Sequence, residues 1–261
     1  MRAETTPPAT DNGGDTDWRS LYFIGAISAV AVLALVPLQI AVFIARPPPA
    51  TVTGWFALFQ ESRLLGLVDM DLLLIVDNFL LALVFLALWA AMRRRSPSLI
   101  TVAVTTEIVA VTTYFGSNTA FEMLALGDRY TAAATDAERA VALAAGQAML
   151  ATWQGSAFNV SYVLGALAIL LASYVMLRSH VFGRPTAWLG LAFGALGLVP
   201  ASAGRLGFVL SLASLVPMWA WLALTARRLW RFGRGTATPQ GAATVATRPA
   251  SPPPGQLVPQ H

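Results

Sequence analysis

Cysteine and lysine are both absent, and histidine occurs only twice, as His180 and His261. Without cysteine there are no disulfides, no thiol nucleophile and no thiolate-bound metal. Without lysine there is no Schiff-base chemistry and no phosphate-binding lysine of a P-loop. Two distant histidines, one of them the last residue, do not make a histidine-based metal site. No metal or other cofactor is therefore expected. Charge is scarce as well: 11% of residues are Asp, Glu, Lys or Arg, against about a quarter in a typical soluble domain. His-Glu-x-x-His, Gly-x-Ser-x-Gly and Walker motifs are missing.

Apolar side chains fill the space this leaves. They make up 56% of the chain and are gathered in continuous runs of Leu, Ala and Val. A bilayer-crossing helix needs about 20 such residues. A membrane barrel would instead show short alternating segments with a polar interior, and the runs are not of that kind. The expected fold is all-α: a polytopic membrane protein with six transmembrane helices. The spans read as Leu21–Ala45, Asp71–Met92, Leu99–Phe115, Ser156–Leu177, Thr186–Ala203 and Gly207–Thr225. Pro37 falls inside the first and is expected to kink it. The transmembrane domain covers residues 21–232. Polar, Pro- and Gly-containing tails at 1–20 and 233–261 are expected to be disordered.

The seventeen arginines divide unevenly between the two sides that these spans define. Arg93, Arg94, Arg95, Arg178, Arg184, Arg227, Arg228, Arg231 and Arg234 fall on one side, together with Arg2, Arg19 and Arg248 in the tails. Only Arg46, Arg63, Arg129, Arg139 and Arg205 fall on the other. Cytoplasmic loops retain basic residues during insertion, so both termini are expected in the cytoplasm and the protein in the cell (plasma) membrane. The formal net charge of +4 belongs to helix ends. It forms no stripe with aromatics, so the partner it implies is the lipid bilayer and not nucleic acid. Trp18, Trp89, Trp188, Trp221 and Trp230 mark the inner boundary on this reading, and Trp55 and Trp153 the outer one.

Both large outer loops carry amphipathic helices. In the first, Trp55, Leu58, Phe59, Ser62 and Leu65 share a face, away from Gln60, Glu61 and Arg63. The segment is too short to span and is expected to lie along the interface. Asp69 or Asp71 follows as a cap for the second span. In the second loop Gly116-Ser117-Asn118 ends a helix. Thr135-Asp136-Ala137-Glu138 is a capping box that opens a helix running to about Trp153. Gly204-Arg205-Leu206 joins the last two spans in a tight hairpin. Gly190-x-x-x-Gly194 permits close packing of the fifth span within the bundle.

Polar groups inside apolar helices are the residues able to carry chemistry, because an unpaired charge at mid-bilayer costs roughly 2.5–3.5 kcal/mol. Asp77 lies about two turns into the second span. It is either an ion or ligand contact or a carboxyl bonded to a neighbouring helix. Glu107 lies near the centre of the third span, with Ala103, Ala110 and Tyr114 on its face, and the same two readings apply. Asn118 and Glu122 sit just beyond that span. Glu122 reads as an ordinary loop acid. Asn159 opens the fourth span and reads as glue between helices. Arg205, in the outer hairpin, either snorkels to the headgroups or pairs with Asp77, Glu107 or Glu122.

The stretches Ser117-Asn118-Thr119-Ala120-Phe121-Glu122-Met123-Leu124, Ala145–Ala151, Ser161-Tyr162-Val163-Leu164 and Val175-Met176-Leu177-Arg178-Ser179 carry a resemblance. With Leu215-Val216-Pro217 and Ala226-Arg227-Arg228-Leu229, they resemble an uncharacterised bacterial family of six-helix integral membrane proteins. The resemblance spans roughly residues 20–232. It implies a membrane location and six spans, and it supplies no activity and no catalytic residue.

The functional expectation is a non-enzymatic protein with an outward-facing polar pocket for a small ligand, a lipid headgroup or an ion, formed from Asp77, Glu107, Asn118, Glu122, Asn159 and Arg205. An intramembrane enzyme using Asp77 and Glu107 is the second reading. A structural or regulatory partner that docks through its C-terminal segment is the third.

Overall fold

The structure is a computed structural model that describes residues 18–239. Residues 1–17 and 240–261 lie outside that description, and most of both expected tails falls there. The described residues form helices and no strand: α1 Arg19–Ala45, α2 Val52–Glu61, α3 Arg63–Asp69, α4 Leu72–Met92, α5 Pro97–Ser117, α6 Ala120–Ala132, α7 Asp136–Trp153, α8 Ser156–Ser179, α9 Arg184–Leu196 and α10 Gly204–Gly233.

Six of these helices close a ring. Going round it, α1 packs on α4, α4 on α5, α5 on α8, α8 on α9, α9 on α10, and α10 back on α1. Each helix turns a stripe of small and apolar residues inward at three- and four-residue spacing, the pattern of one helical face. On α1 the stripe is Tyr22, Ala26, Ala29, Val32 and Val36. The α4 stripe includes Val84, Phe85 and Leu88, and the α10 stripe Leu222, Ala226 and Leu229. Together they form an apolar core at the end of the ring that carries most of the arginines. There Arg93 stacks over Trp18 at 4.0 Å from the ring centroid, and Arg228 Nε donates to the Val181 carbonyl at 3.1 Å.

Helices α2, α3, α6 and α7 cap the opposite end. Their shared core contains Trp55, Phe56, Phe59, Met70 and Met123, and Trp153 stands edge-on to Trp55. The capping box forms as the sequence predicts: Glu138 N donates to Thr135 Oγ1, and Glu138 Oε2 accepts from Thr135 N. The first amphipathic segment is two helices and not one, because Ser62 is extended between them. Its aromatic face is buried against α6 and α7. Helix α6 was not anticipated from the sequence. After Asn118 and Thr119 the helical pattern resumes at once.

Among the described residues five segments are long and apolar enough to cross a membrane: Arg19–Ala45, Leu72–Met92, Pro97–Ala132, Asp136–Ser179 and Gly204–Gly233. The expected span Thr186–Ala203 is not among them. Helix α9 has 13 residues, or about 20 Å of length, and ends before the turn around Pro200. Proline lacks the N–H that would continue the helix and disfavours helical backbone at Val199 before it. Helix α9 nonetheless holds its place in the ring, because Gly190 and Gly194 let it sit directly on its neighbours. A Cβ at Gly190 would collide with Ser173 and Trp221, and one at Gly194 with Leu170 and the Ala166 carbonyl. Trp221 is accordingly core, completely buried beside Phe193, and Trp55 is core of the cap.

Candidate functional site

Between the two apolar cores lies a layer of buried polar side chains. Helix α5 supplies its longest face: Glu107, Ala110, Tyr114 and Ser117 are all buried at helical spacing. Glu107 is 1% exposed and faces α8, where Gly165 leaves room for it; a Cβ on Gly165 would stand 3.9 Å from Glu107 Oε2. That oxygen has no hydrogen-bond donor among the described residues. On α4, Asp77 is buried and its Oδ1 likewise has no donor among the described residues. The Tyr114 hydroxyl, also without a partner among the described residues, lies within electrostatic reach of Asp71 and Asp77. Neither Asp77 nor Glu107 forms an ion pair among the described residues.

The α3–α4 corner forms the roof of this layer. Asp71 takes a left-handed backbone conformation, φ 68°, uncommon for a residue other than glycine. It occupies the N-cap position of α4 without capping it. Its carboxylate turns instead to Trp153, whose Nε1 donates to Oδ2 at 2.9 Å. Burial pushes this carboxyl up to about 7; the Trp153 N–H opposes the rise and neighbouring Asp69 adds to it. Asp69 is wholly covered, and neither of its oxygens has a donor among the described residues. Its carboxyl is raised by burial, with Arg46 pulling the other way. Beneath the corner, Gln39 of α1 donates to the Val68 carbonyl at 3.3 Å.

The sequence-predicted site residues separate into two groups. Asp77 and Glu107 belong to the buried layer. Asn118 borders it as a fastener: Nδ2 donates to the Met70 carbonyl at 2.7 Å and Oδ1 accepts from Ala120 N, which pins the α5–α6 corner to the α3–α4 corner. Asn159 bonds the carbonyls of Gln154 and Gly155 and accepts from Ser202, tying α8 to the turn before α10. Glu122 is exposed on the first turn of α6. Arg205 is exposed at the start of α10 and forms no ion pair among the described residues, so it does not meet Asp77, Glu107 or Glu122. Asp69, Asp71, Gln39 and Trp153 were missed as site residues. The two aspartates look like helix caps in the sequence. Two acids within three residues at the mouth of an apolar run were the available signal.

In a low-dielectric layer an unpartnered carboxyl is stable when it holds a proton or meets a cation. The described residues bring together no three His, Cys, Asp or Glu side chains able to hold a metal ion. No protein-family model, curated protein or solved structure matches this chain.

Proposed function

We propose that this chain is a multi-pass protein of the cell membrane that binds a proton or small cation in a polar layer facing the outside, without catalysing a reaction. The observation that carries this reading is that Asp77 and Glu107 are both buried, each with a carboxylate oxygen that no donor among the described residues reaches. Arg205, the cation that the sequence offered them, is exposed and pairs with neither, so on this reading the proton or cation that satisfies them comes from solution.

Orientation follows from charge. The arginine-rich end is cytoplasmic by the retention of basic loops, which turns the cap and the polar layer outward and leaves both termini inside. Six crossings fit this arrangement. Helix α9 takes one of the six wall positions, and a short span is accommodated by local thinning of the bilayer. The resemblance to an uncharacterised six-helix family carries the same architecture and no activity.

The test is cation- and pH-dependent thermal stability of the protein in lipid nanodiscs, compared among wild type, Asp77→Asn and Glu107→Gln. Wild type should respond to pH or to one of Na⁺, K⁺ and NH₄⁺, and each substitution should abolish or sharply reduce that response. A wild type insensitive to all of them, or two variants that respond as wild type does, refutes the proposal.

A further inference from the structure

At the arginine-rich end of the ring, the start of α1 and the end of α10 share a basic and aromatic seam. Arg19 opens α1, and Arg231 and Arg234 close α10, all three exposed. Close approach builds the seam. A Cβ on Gly233 would stand 2.9 Å from the Phe23 ring, so Phe23 of α1 rests directly on α10. Phe23 meets Trp230 edge-on, 5.1 Å between centroids, and the Arg234 guanidinium lies 5.4 Å from the Trp230 centroid. Gly235 takes a left-handed turn, φ 68°, and a Cβ there would stand 3.2 Å from Arg19 Nη2. Arg19 therefore lies beside the residue that follows Arg234. The N–H groups of Gly235 and Thr236 donate to the carbonyls of Phe232 and Arg231, so the arginines are not needed to cap the helix. None of the three forms an ion pair among the described residues, and no described Asp or Glu lies at this end of the ring.

We infer that this seam binds one anionic phospholipid, its phosphate diester held by Arg19 and Arg234 and its acyl chains lying along α1 and α10. Three features set the ligand class. Guanidinium groups match phosphate oxygens in charge and in paired hydrogen bonds. Trp230 is 39% exposed, and an indole beside the charges suits the boundary between headgroup and chain. Further along both helices the open faces are apolar: Ile24 and Ile27 on α1, and Val216 and Leu212 on α10, are exposed. A soluble anion would use the arginines without these faces. A zwitterionic lipid would use the faces and bring no net charge. Basic pockets between membrane helices hold anionic headgroups for this reason. The inference rests on the chain crossing a membrane and on neither Asp77 nor Glu107.

Native mass spectrometry of the full chain in detergent, titrated with phosphatidylglycerol or phosphatidylcholine, tests it. The first phosphatidylglycerol should bind about tenfold or more tightly than phosphatidylcholine. Arg19→Gln and Arg234→Gln should each weaken it about fivefold, and both positions are exposed, so the fold does not depend on them. Arg178→Gln, exposed at the end of α8 across the ring, should leave it unchanged. Glycerol 3-phosphate, which has the charge without the chains, should not displace the lipid at equal concentration. Equal binding of the two lipids overturns the inference, and so does a preference that survives Arg19→Gln combined with Arg234→Gln. An equal loss in Arg178→Gln overturns it by showing diffuse charge in place of a site. Displacement by glycerol 3-phosphate overturns it in favour of a soluble anion. A preference that emerges only when Asp15→Asn and Asp17→Asn are introduced together also overturns it, and assigns the arginines to the chain's own N-terminal acids.

Discussion

Trp153 Nε1 donates to Asp71 Oδ2 at 2.9 Å, joining the end of α7 to the start of α4 across 82 positions of sequence. This one bond ties the cap to the bundle at the roof of the polar layer, and it uses a carboxyl that would otherwise have capped a helix.

Because burial raises the Asp71 carboxyl to about 7 from 3.8, the folded protein holds this proton more tightly than the unfolded chain does. Its contribution is therefore full below about pH 4 and declines as pH rises through the window up to about 7, by about 1.4 kcal/mol for each pH unit. The apparent unfolding temperature in detergent should fall across that window. Asp71→Asn, which still accepts from Trp153, should flatten the dependence. Trp153→Phe removes the N–H that favours the charged form and should extend the fall to higher pH.

Asn118→Ala deletes the bonds to Met70 and Ala120 and leaves the Met70 carbonyl without its side-chain donor. A loss of about 1–3 kcal/mol is expected. Hydrogen exchange should show it as faster opening at both corners, residues 66–72 and 116–121, with α9 and α10 unaffected.

Gly190→Val places a branched side chain against Ser173 and Trp221, at the meeting of α8, α9 and α10. Overpacking of this kind costs about 1–3 kcal/mol. Gly116→Ala, where nothing lies within 4 Å of the new methyl, should be neutral or stabilising by up to about 1 kcal/mol. Thermal denaturation of the two variants side by side checks the pair.

The absence of cysteine allows topology to be read from single introduced thiols. Ser98, Ala134 and Ala203 are exposed and lie at the start of α5, between α6 and α7, and between α9 and α10. With an impermeant maleimide on intact cells, Ala134→Cys and Ala203→Cys should label and Ser98→Cys should not. Labelling of Ala134→Cys without Ala203→Cys would mean that α9 does not cross.

Much of the helical framework was legible in the chain. The limits of α4, α5, α7 and α8 follow from run length, a proline at the start of α5 and a capping box, all signals carried within a few residues. The face of α5 that holds Glu107 and Tyr114 was equally legible, since helical period decides which residues share a side. The fifth helix was expected to reach Ala203 and ends at Leu196, because mean hydropathy does not register that Pro200 and the glycine-rich approach to it end a helix early. The roles of Asp69 and Asp71 were misread because, locally, an aspartate before an apolar run is a cap.

By itself, then, the sequence determined an all-helical chain with segments able to cross a membrane, a charge bias between their ends, and the carboxyls that those segments must bury. These depend on hydrophobicity, period and short-range capping, which need no knowledge of distant neighbours. Only the tertiary structure decided which carboxyls would be satisfied. Trp153 reached Asp71, Asn118 reached Met70, and Arg205 reached no acid among the described residues, because a hydrogen bond depends on positions set within a few tenths of an ångström by the packing of the cap on the bundle.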